Sequence, residues 1–247
     1  MEAKEINTDY SSTTIAEIVA EDYRKAEVFK KFGLDFCCGG KKSVEKACSD
    51  KKIDAHALIT ALEEVDIQEN DHNMDYNAMK LDELVDHIVT THHDYVKESL
   101  PLIAEFSAKV ARVHGNANPE VVEIFNEFTA LEQELGQHMH KEEIVLFPFI
   151  KQLASSKNNN EPAPPPPFGT INNPITMMEQ EHDIAGNTMT SINKLSNNYT
   201  PPEHACNTYR VLYAKLEEFE NNLHQHVHLE NNILFPKAIK LEEELLG

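Results

Sequence analysis

Two stretches decide the fold of this chain: HMHKEEIVLFP at residues 138–148 and HVHLENNILFP at residues 226–236. They share six identities in eleven positions at a constant displacement of 88 residues, which indicates an internal repeat. Each stretch carries a histidine and a glutamate four residues apart, and residues at that spacing lie on one face of a helix. The sequence therefore predicts two related helices that present the pairs His138–Glu142 and His226–Glu230.

Apolar residues accompany both pairs at helical spacing. Four share the stripe of the earlier pair, namely Leu131, Leu135, Val145 and Phe149. Five flank the later pair, namely Leu216, Phe219, Leu223, Val227 and Ile233. Both pairs are therefore expected to face the core. Because a coordinated cation offsets the cost of burying an imidazole beside a carboxylate, two facing pairs indicate a metal site.

The rest of the chain supplies the other helices that such a site needs. Long helical patterns cover about 79–113, 119–153, 174–198 and 202–245, and the proline-rich stretch 155–173 should cross between the two hairpins. This order predicts a four-helix bundle within residues 77–247. A small helical N-terminal domain is expected at 1–76, with a capping box at Thr14–Glu17, a helix stop at Gly33 and a polar linker at 69–77.

The first and third helices offer further ligands. His182 follows an acidic run on the third helix, and His92 and His93 are adjacent on the first. The apolar stripe of the first helix lies closer to His92, so periodicity alone does not select His93. Nitrogen and oxygen ligands without thiolate suit iron or manganese, with zinc as a substitute.

The remaining histidines are not expected to bind metal. Three fall on other helix faces and should be solvated: His140, His224 and His228. Four have no partner pattern: His56, His72, His87 and His204.

Composition excludes several function classes. Acidic residues outnumber basic ones by 42 to 22, and a formal charge of −20 opposes binding to nucleic acid or to anionic membranes. No apolar run reaches the length of a membrane span, and the N-terminal stretch is not typical of a signal peptide. We expect a soluble, cytoplasmic protein with free thiols.

The segment CCGGKK at 37–42 is the second candidate site. Nearby lysines and a following helix N-terminus would favour thiolate, which predicts a reactive or iron-handling thiol at Cys37 and Cys38. Packing of two small residues in a turn is the alternative. Because Asp35 stands where a phosphate loop needs glycine and no strand precedes it, nucleotide binding is rejected.

Together, FGLDFCCGGK at 32–41 and the repeated His–Glu bundle resemble the repair-of-iron-centres family, over almost the whole chain. The resemblance implies a hemerythrin-like, di-iron four-helix bundle behind the N-terminal domain. It implies Glu142 and Glu230 as bridging carboxylates and a set of terminal ligands: His93, His138, His182 and His226. His93 is preferred over His92 because the family ligand precedes an acidic residue and lies eight positions before the proline of a Leu-Pro step, here Leu100-Pro101. It also makes Cys37 and Cys38 functional candidates that receive iron or nitric oxide, and it places His114 beside the metal ligands rather than among them.

Three functions follow as hypotheses. The first, which the N-terminal cysteines favour, is repair of iron–sulfur clusters damaged by nitrosative or oxidative stress, through donation of iron to the damaged proteins. The second is an oxygen or nitric oxide carrier or sensor, and the third is a di-iron enzyme that reduces nitric oxide or peroxide. A donor is favoured over a turnover enzyme. The sequence does not decide the oligomeric state, and a homodimer is among the options.

Overall fold

The computed structural model describes residues 10–67 and 75–246 of the chain. Within these ranges it contains helices and no strand, apart from an isolated bridge between Thr14 and Ser43, so the prediction of an all-α protein is confirmed. None of the described helices is both long and apolar enough to span a bilayer. His72 and most of the predicted linker at 69–77 lie outside the described residues.

The chain divides into two compact units. The first contains the residues up to 79 together with 228–233, and the second contains 80–227 together with 234–247. The predicted boundary at 76/77 stays a prediction; it lies three residues before this division and does not foresee the short C-terminal segment in the first unit.

Short helices build the first unit. Those within residues 10–67 are α1 (Ile15–Glu21), α2 (Ala26–Lys31), α3 (Val44–Lys51) and α4 (Ala55–Ile67), with a 3-10 turn at Tyr23–Lys25. At the start of α1, Thr14 Oγ1 accepts the Glu17 N–H at 3.2 Å, and the Glu17 carboxylate accepts the Thr14 N–H at 3.0 Å. After α2, Gly33 has a φ of +67°, a conformation that glycine adopts at little cost. Both signals, the capping box and the glycine stop, are therefore present.

Long helical segments build the second unit, and the described residues contain four of them; residues 228–233 of the fourth segment belong to the first unit. They are α5–π1–α6 (Leu81–His87, Ile88–His93, Asp94–His114), α7–π2–α8 (Glu120–Lys141, Glu142–Leu146, Phe147–Asn159), α9 (Asn172–Leu195) and α10–π3–α11 (Asn207–Leu229, Glu230–Leu234, Phe235–Leu246). The second segment ends at Asn159, six residues later than predicted, and the fourth begins at Asn207, five residues later.

A proline-rich connection at 160–171 joins the two hairpins. It begins at Asn160, whose φ of 55° ends α8. The connection ends on Glu242 of α11, a buried carboxylate that accepts the Ile171 N–H at 2.8 Å and the Thr170 hydroxyl at 2.7 Å. These bonds fix the start of α9 to the last helix.

Three of the four long segments contain a π-helical turn. In π2 the N–H of Phe147 donates to the carbonyl of Glu142, five residues back, and π3 is displaced from π2 by the same 88 residues as the sequence repeat. Pro148 and Pro236 follow these turns. A proline ring clashes with the carbonyl four residues before it, and a wider turn relieves that clash.

The π turns shift the helical register. Val145, predicted on the buried stripe, is 45% exposed, because the turn at 142–146 rotates the following residues. Leu146 and Phe147 are buried in its place. The prediction for Val145 was therefore wrong, although Phe149 is buried as expected.

Candidate metal centre

Six buried side chains from the four long segments meet in two groups. The first group is His93, Glu142, His226 and Glu230, and the second is His138, Glu142, His182 and Glu230. Within each group one donor atom from every residue lies within 4.8 Å of the others. Glu230 stands one turn after His226 on a continuous helix, as Glu142 does after His138. Both groups share the two glutamates.

The histidines approach one another in pairs. Nε2 of His93 lies 3.1 Å from Nε2 of His226, and Nε2 of His138 lies 3.0 Å from Nε2 of His182. Two ligands at a right angle, each about 2.1 Å from a metal, would be separated by about 3.0 Å. These separations fit two imidazoles that bind one cation.

Glu142 supplies an independent test of that fit. It is fully buried, and within the described part of the chain neither carboxylate oxygen has a hydrogen-bond partner. Two imidazole nitrogens approach it, with Nε2 of His93 at 3.4 Å and Nε2 of His138 at 3.3 Å from Oε2. A buried carboxylate without hydrogen bonds is costly, and a cation shared by these residues removes the cost.

Outer carboxylates orient two of the histidines. Nδ1 of His93 lies 2.8 Å from the Glu143 carboxylate, which also accepts from Lys97 at 2.7 Å. Partial burial by itself would raise the pKa of Glu143, but the bonds from Lys97 and His93 hold it below the ordinary value. A carboxylate at Nδ1 makes that nitrogen the donor and leaves the Nε2 lone pair directed at the centre.

The same arrangement recurs at His138. Its Nδ1 lies 2.9 Å from Glu181, which also pairs with Lys141. Partial burial acts to raise the pKa of Glu181, and the bonds from Lys141 and His138 lower it overall. A cavity of about 180 Å³ adjoins His138 and is lined in part by Lys141, Glu181 and Glu134. The sequence pattern missed both outer glutamates, whose only signal was an acidic residue beside a predicted ligand.

Two repeated phenylalanines form apolar walls. Phe147 stacks on His93 with ring centroids 5.5 Å apart, and Phe235 stacks on His182 at 6.2 Å. Because Phe147 and Phe235 are 88 residues apart, the internal repeat extends to the packing around the centre.

The structure separates His92 from His93. Both are buried, but His93 belongs to one of the groups that could hold a metal ion, whereas His92 contacts Asn222 and stacks on His226. The π turn at 88–93 explains why periodicity leaned towards His92, since one additional residue in the turn brings both histidines inward.

Other histidines differ in their surroundings. His140 is exposed as expected, but His228 is 1% exposed and packs against Phe36 and Tyr23 within the first unit. Its burial lowers its pKa to about 4, so the prediction of a solvated His228 was wrong. His114 lies 3.3 Å from Cys206 Sγ, at the far end of α6, and belongs to neither metal-binding group.

The double cysteine forms a separate cluster in the first unit. Cys37 Sγ donates to Asp35 at 3.1 Å and lies 3.9 Å from Cys38 Sγ. Its contact with Cys38, its burial and the Asp35 carboxylate raise the pKa of the Cys37 thiol well above its ordinary value. The expected thiolate is therefore not favoured at Cys37, and Lys42 pairs instead with Asp50. With a metal ion, the three residues 35, 37 and 38 would form a further group of donors.

Comparisons with known proteins agree with this architecture. Residues 84–238 match the hemerythrin HHE cation binding domain, and residues 11–66 match a domain of unknown function, DUF542. An iron-sulfur cluster repair protein YtfE from Yersinia pseudotuberculosis serotype O:1b (strain IP 31758) is 35% identical over 95% of this chain and 100% of its own length. The protein of the same name from Pectobacterium atrosepticum is 36% identical over 94% of this chain and 99% of its own length.

Proposed function

The chain belongs to the iron-sulfur cluster repair proteins that join a DUF542 domain to a hemerythrin HHE domain, and from this membership we propose that it repairs damaged clusters by donating iron. The damaged iron–sulfur proteins are its partners, and nitrosative or oxidative stress creates the need for it. The iron is cargo that the chain holds and releases.

The buried carboxylate of Glu142 carries the proposal. It belongs to both metal-binding groups and has imidazoles as its near neighbours, which supports a role as a bridge between two ions. Glu230 also belongs to both groups and is therefore the second proposed bridge. The terminal ligands are His93 and His226 on one ion and His138 and His182 on the other. Iron suits this donor set of imidazole and carboxylate without thiolate.

The small number of protein ligands on each ion favours release of the iron. Each ion has two histidines and two shared carboxylates, so an octahedral site keeps positions that the protein does not fill. Open positions let an incoming ligand bind before a protein ligand leaves. Exchange of iron is then faster than from a fully enclosed site.

An iron-transfer experiment tests the proposal. The full chain loaded with ferrous iron is mixed, without oxygen, with an iron–sulfur enzyme whose cluster nitric oxide has damaged. Recovery of enzyme activity and loss of iron from the chain are followed together. We expect both to proceed in parallel and the metal-free chain to give no recovery. Equal recovery from the same dose of free ferrous iron would contradict specific donation.

The open positions also favour a second function, binding of oxygen or nitric oxide as a carrier or sensor. In that case the gas binds reversibly while the iron content stays constant in the presence of the damaged enzyme. Iron analysis after each binding cycle distinguishes the two functions. Net consumption of nitric oxide with a supplied reductant would instead indicate a di-iron enzyme.

Cys37 and Cys38 are proposed to receive iron or nitric oxide. The neighbouring Asp35 carboxylate adds a hard oxygen donor to the two sulfurs. Because thiols must lose protons to bind metal, the raised pKa of Cys37 means that iron binding there releases protons. Cys37→Ser and Cys38→Ser should slow cluster repair without changing the iron content of the bundle.

A further inference from the structure

His92 is a buried imidazole that stacks on one of the proposed ligands. It lies on π1, is 1% exposed, and its ring stacks on that of His226 with centroids 5.7 Å apart and planes 6° from parallel. It belongs to neither of the two metal-binding groups. His92 is therefore close to the centre without being part of it.

Asn222 orients the His92 ring. Asn222 Oδ1 lies 3.2 Å from Nδ1 of His92, and an amide oxygen in that position makes Nδ1 the protonated nitrogen. The lone pair is then on Nε2. Glu143 orients His93 in the same manner, but an amide is neutral and leaves the imidazole a weaker ligand than a carboxylate does. A weak ligand suits brief binding of a metal ion rather than storage.

His87 continues the row of imidazoles. Its ring centroid is 5.9 Å from that of His92 with the planes at 83°, and the Thr91 hydroxyl lies 3.3 Å from its Nδ1. His87 is only partly buried, so it lies nearer to the surface than His92. Its partial burial lowers its pKa, which favours the neutral form that binds metal.

We propose that His92 and His87 form a relay that carries ferrous iron between His226 and the surface of the first long helix. This inference rests on the proposed function as an iron donor. Each step is a ligand exchange in which one iron–nitrogen bond forms and another breaks. The iron stays ferrous in each exchange, and no proton is taken up or released.

Packing alone does not require a histidine at position 92 or its hydrogen bond to Asn222. A phenylalanine at position 92 would stack on His226 equally well and would not need the hydrogen bond to Asn222. Three imidazoles in sequence, with successive centroids less than 6 Å apart, instead place a nitrogen-bearing side chain at each step.

The relay is tested by the rate of iron release. The full chain loaded with ferrous iron is mixed with excess ferrozine in a stopped-flow instrument, and the coloured chelate is followed over time. The variants are His92→Phe, His87→Phe and the double variant, with the exposed His140→Phe as matched control. We expect the iron content and optical spectrum to be unchanged in all of them, and His92→Phe to slow release roughly ten-fold.

The order of the relay gives a second expectation. Because the two histidines act in series, the double variant should release iron no more slowly than His92→Phe alone, and His140→Phe should match the unaltered chain. Unchanged release from His92→Phe would overturn the proposal and indicate another exit, such as the cavity beside His138. Loss of iron from the resting variant would assign His92 to the centre itself and would also overturn it.

Two further measurements keep the test decisive. Thermal unfolding shows whether His92→Phe folds. If it does not fold, the rate of iron release from His87→Phe, which changes a partly exposed position, decides the question. An unchanged rate in His87→Phe would overturn the relay. If the unaltered chain releases iron to ferrozine through His92 but repairs no enzyme, the relay stands and the donor function fails. If the enzyme is repaired at a rate that does not depend on His92 or His87, the donor function stands and the relay fails.

Discussion

Adjacent residues of one type have different roles at the centre. Glu142 is fully buried between imidazoles, whereas Glu143 points to Lys97 with a quarter of its side chain exposed. The sequence predicted Glu142 because it stands four residues after His138 and recurs 88 residues later as Glu230. It could not predict Glu143 as a partner of His93, since that contact joins residues 50 positions apart on different helices.

Replacement of Glu142 by leucine tests its role as a bridge. Without metal, Glu142→Leu should raise the free energy of unfolding by about 1–3 kcal/mol, because a buried carboxylate without hydrogen bonds is replaced by an apolar side chain. The variant should also bind less iron while keeping its helices. Iron analysis, circular dichroism and urea unfolding measure the three effects.

Glu143→Leu is the matched control for this variant. It removes a partly exposed ion pair, so the metal-free chain should gain no stability, which makes it the control for the stability effect; its affinity for iron should fall, because Glu143 orients His93. A Glu142→Leu variant that retains two irons would show that the assigned bridge is wrong.

At the scale of helical elements, the π turns mark the limit of what periodicity can predict. Helix type, order and approximate bounds followed from the apolar stripes, the prolines and the capping residues. The extra residue in each π turn changes the register, which displaced Val145 from the buried face and brought His92 and His93 inward together. A period of 3.6 residues contains no information about such a turn.

Two glycines test the helix rules, because their replacement by alanine should change the free energy of unfolding in opposite directions. Gly33 ends α2 at a φ of +67°, and Gly136 lies inside α7; in both cases a Cβ would meet no atom within 4 Å. Gly33→Ala should lower the free energy of unfolding by about 1 kcal/mol, because only the backbone conformation is unfavourable for alanine. Gly136→Ala should raise it by about 0.5–1 kcal/mol through helix propensity.

Urea unfolding of the metal-free chain measures both glycine variants. Each serves as the control for the other, since both add one methyl group in open space. A change of the same sign in the two variants would contradict the assignment of Gly33 as the helix stop.

At the scale of the whole molecule, contacts distant in sequence decide the division into units. The sequence placed a boundary near residue 76 from the polar composition there. It could not foresee that 228–233 would join the first unit, where the Asn232 amide donates to the carbonyls of Phe36 and Cys37 at 3.3 and 3.1 Å. Nearly 200 residues separate these partners, and neither the repeat nor the helical pattern relates them.

Charge is the property of the whole molecule that composition predicted most directly. A formal charge of −20 repels polyanions and raises the concentration of cations near the surface. Lysines such as Lys97 and Lys141 neutralise the outer glutamates of the centre but leave most of the acidic excess in place. The electric field of this acidic surface would favour the proposed loading with ferrous ions.

Because the acidic surface attracts cations, we predict that the rate of iron loading depends on salt concentration. The Debye length falls from about 30 Å at 0.01 M to about 8 Å at 0.15 M ionic strength, so the attraction of the acidic surface for Fe²⁺ is largely screened at the higher value. We expect the rate of ferrous loading of the metal-free chain to fall roughly ten-fold over this range. Binding of uncharged nitric oxide to the loaded chain is the control and should change little, because a neutral molecule does not respond to the field. A loading rate independent of salt would mean that the acidic excess does not guide iron to the centre, and that diffusion through the protein or ligand exchange limits loading instead.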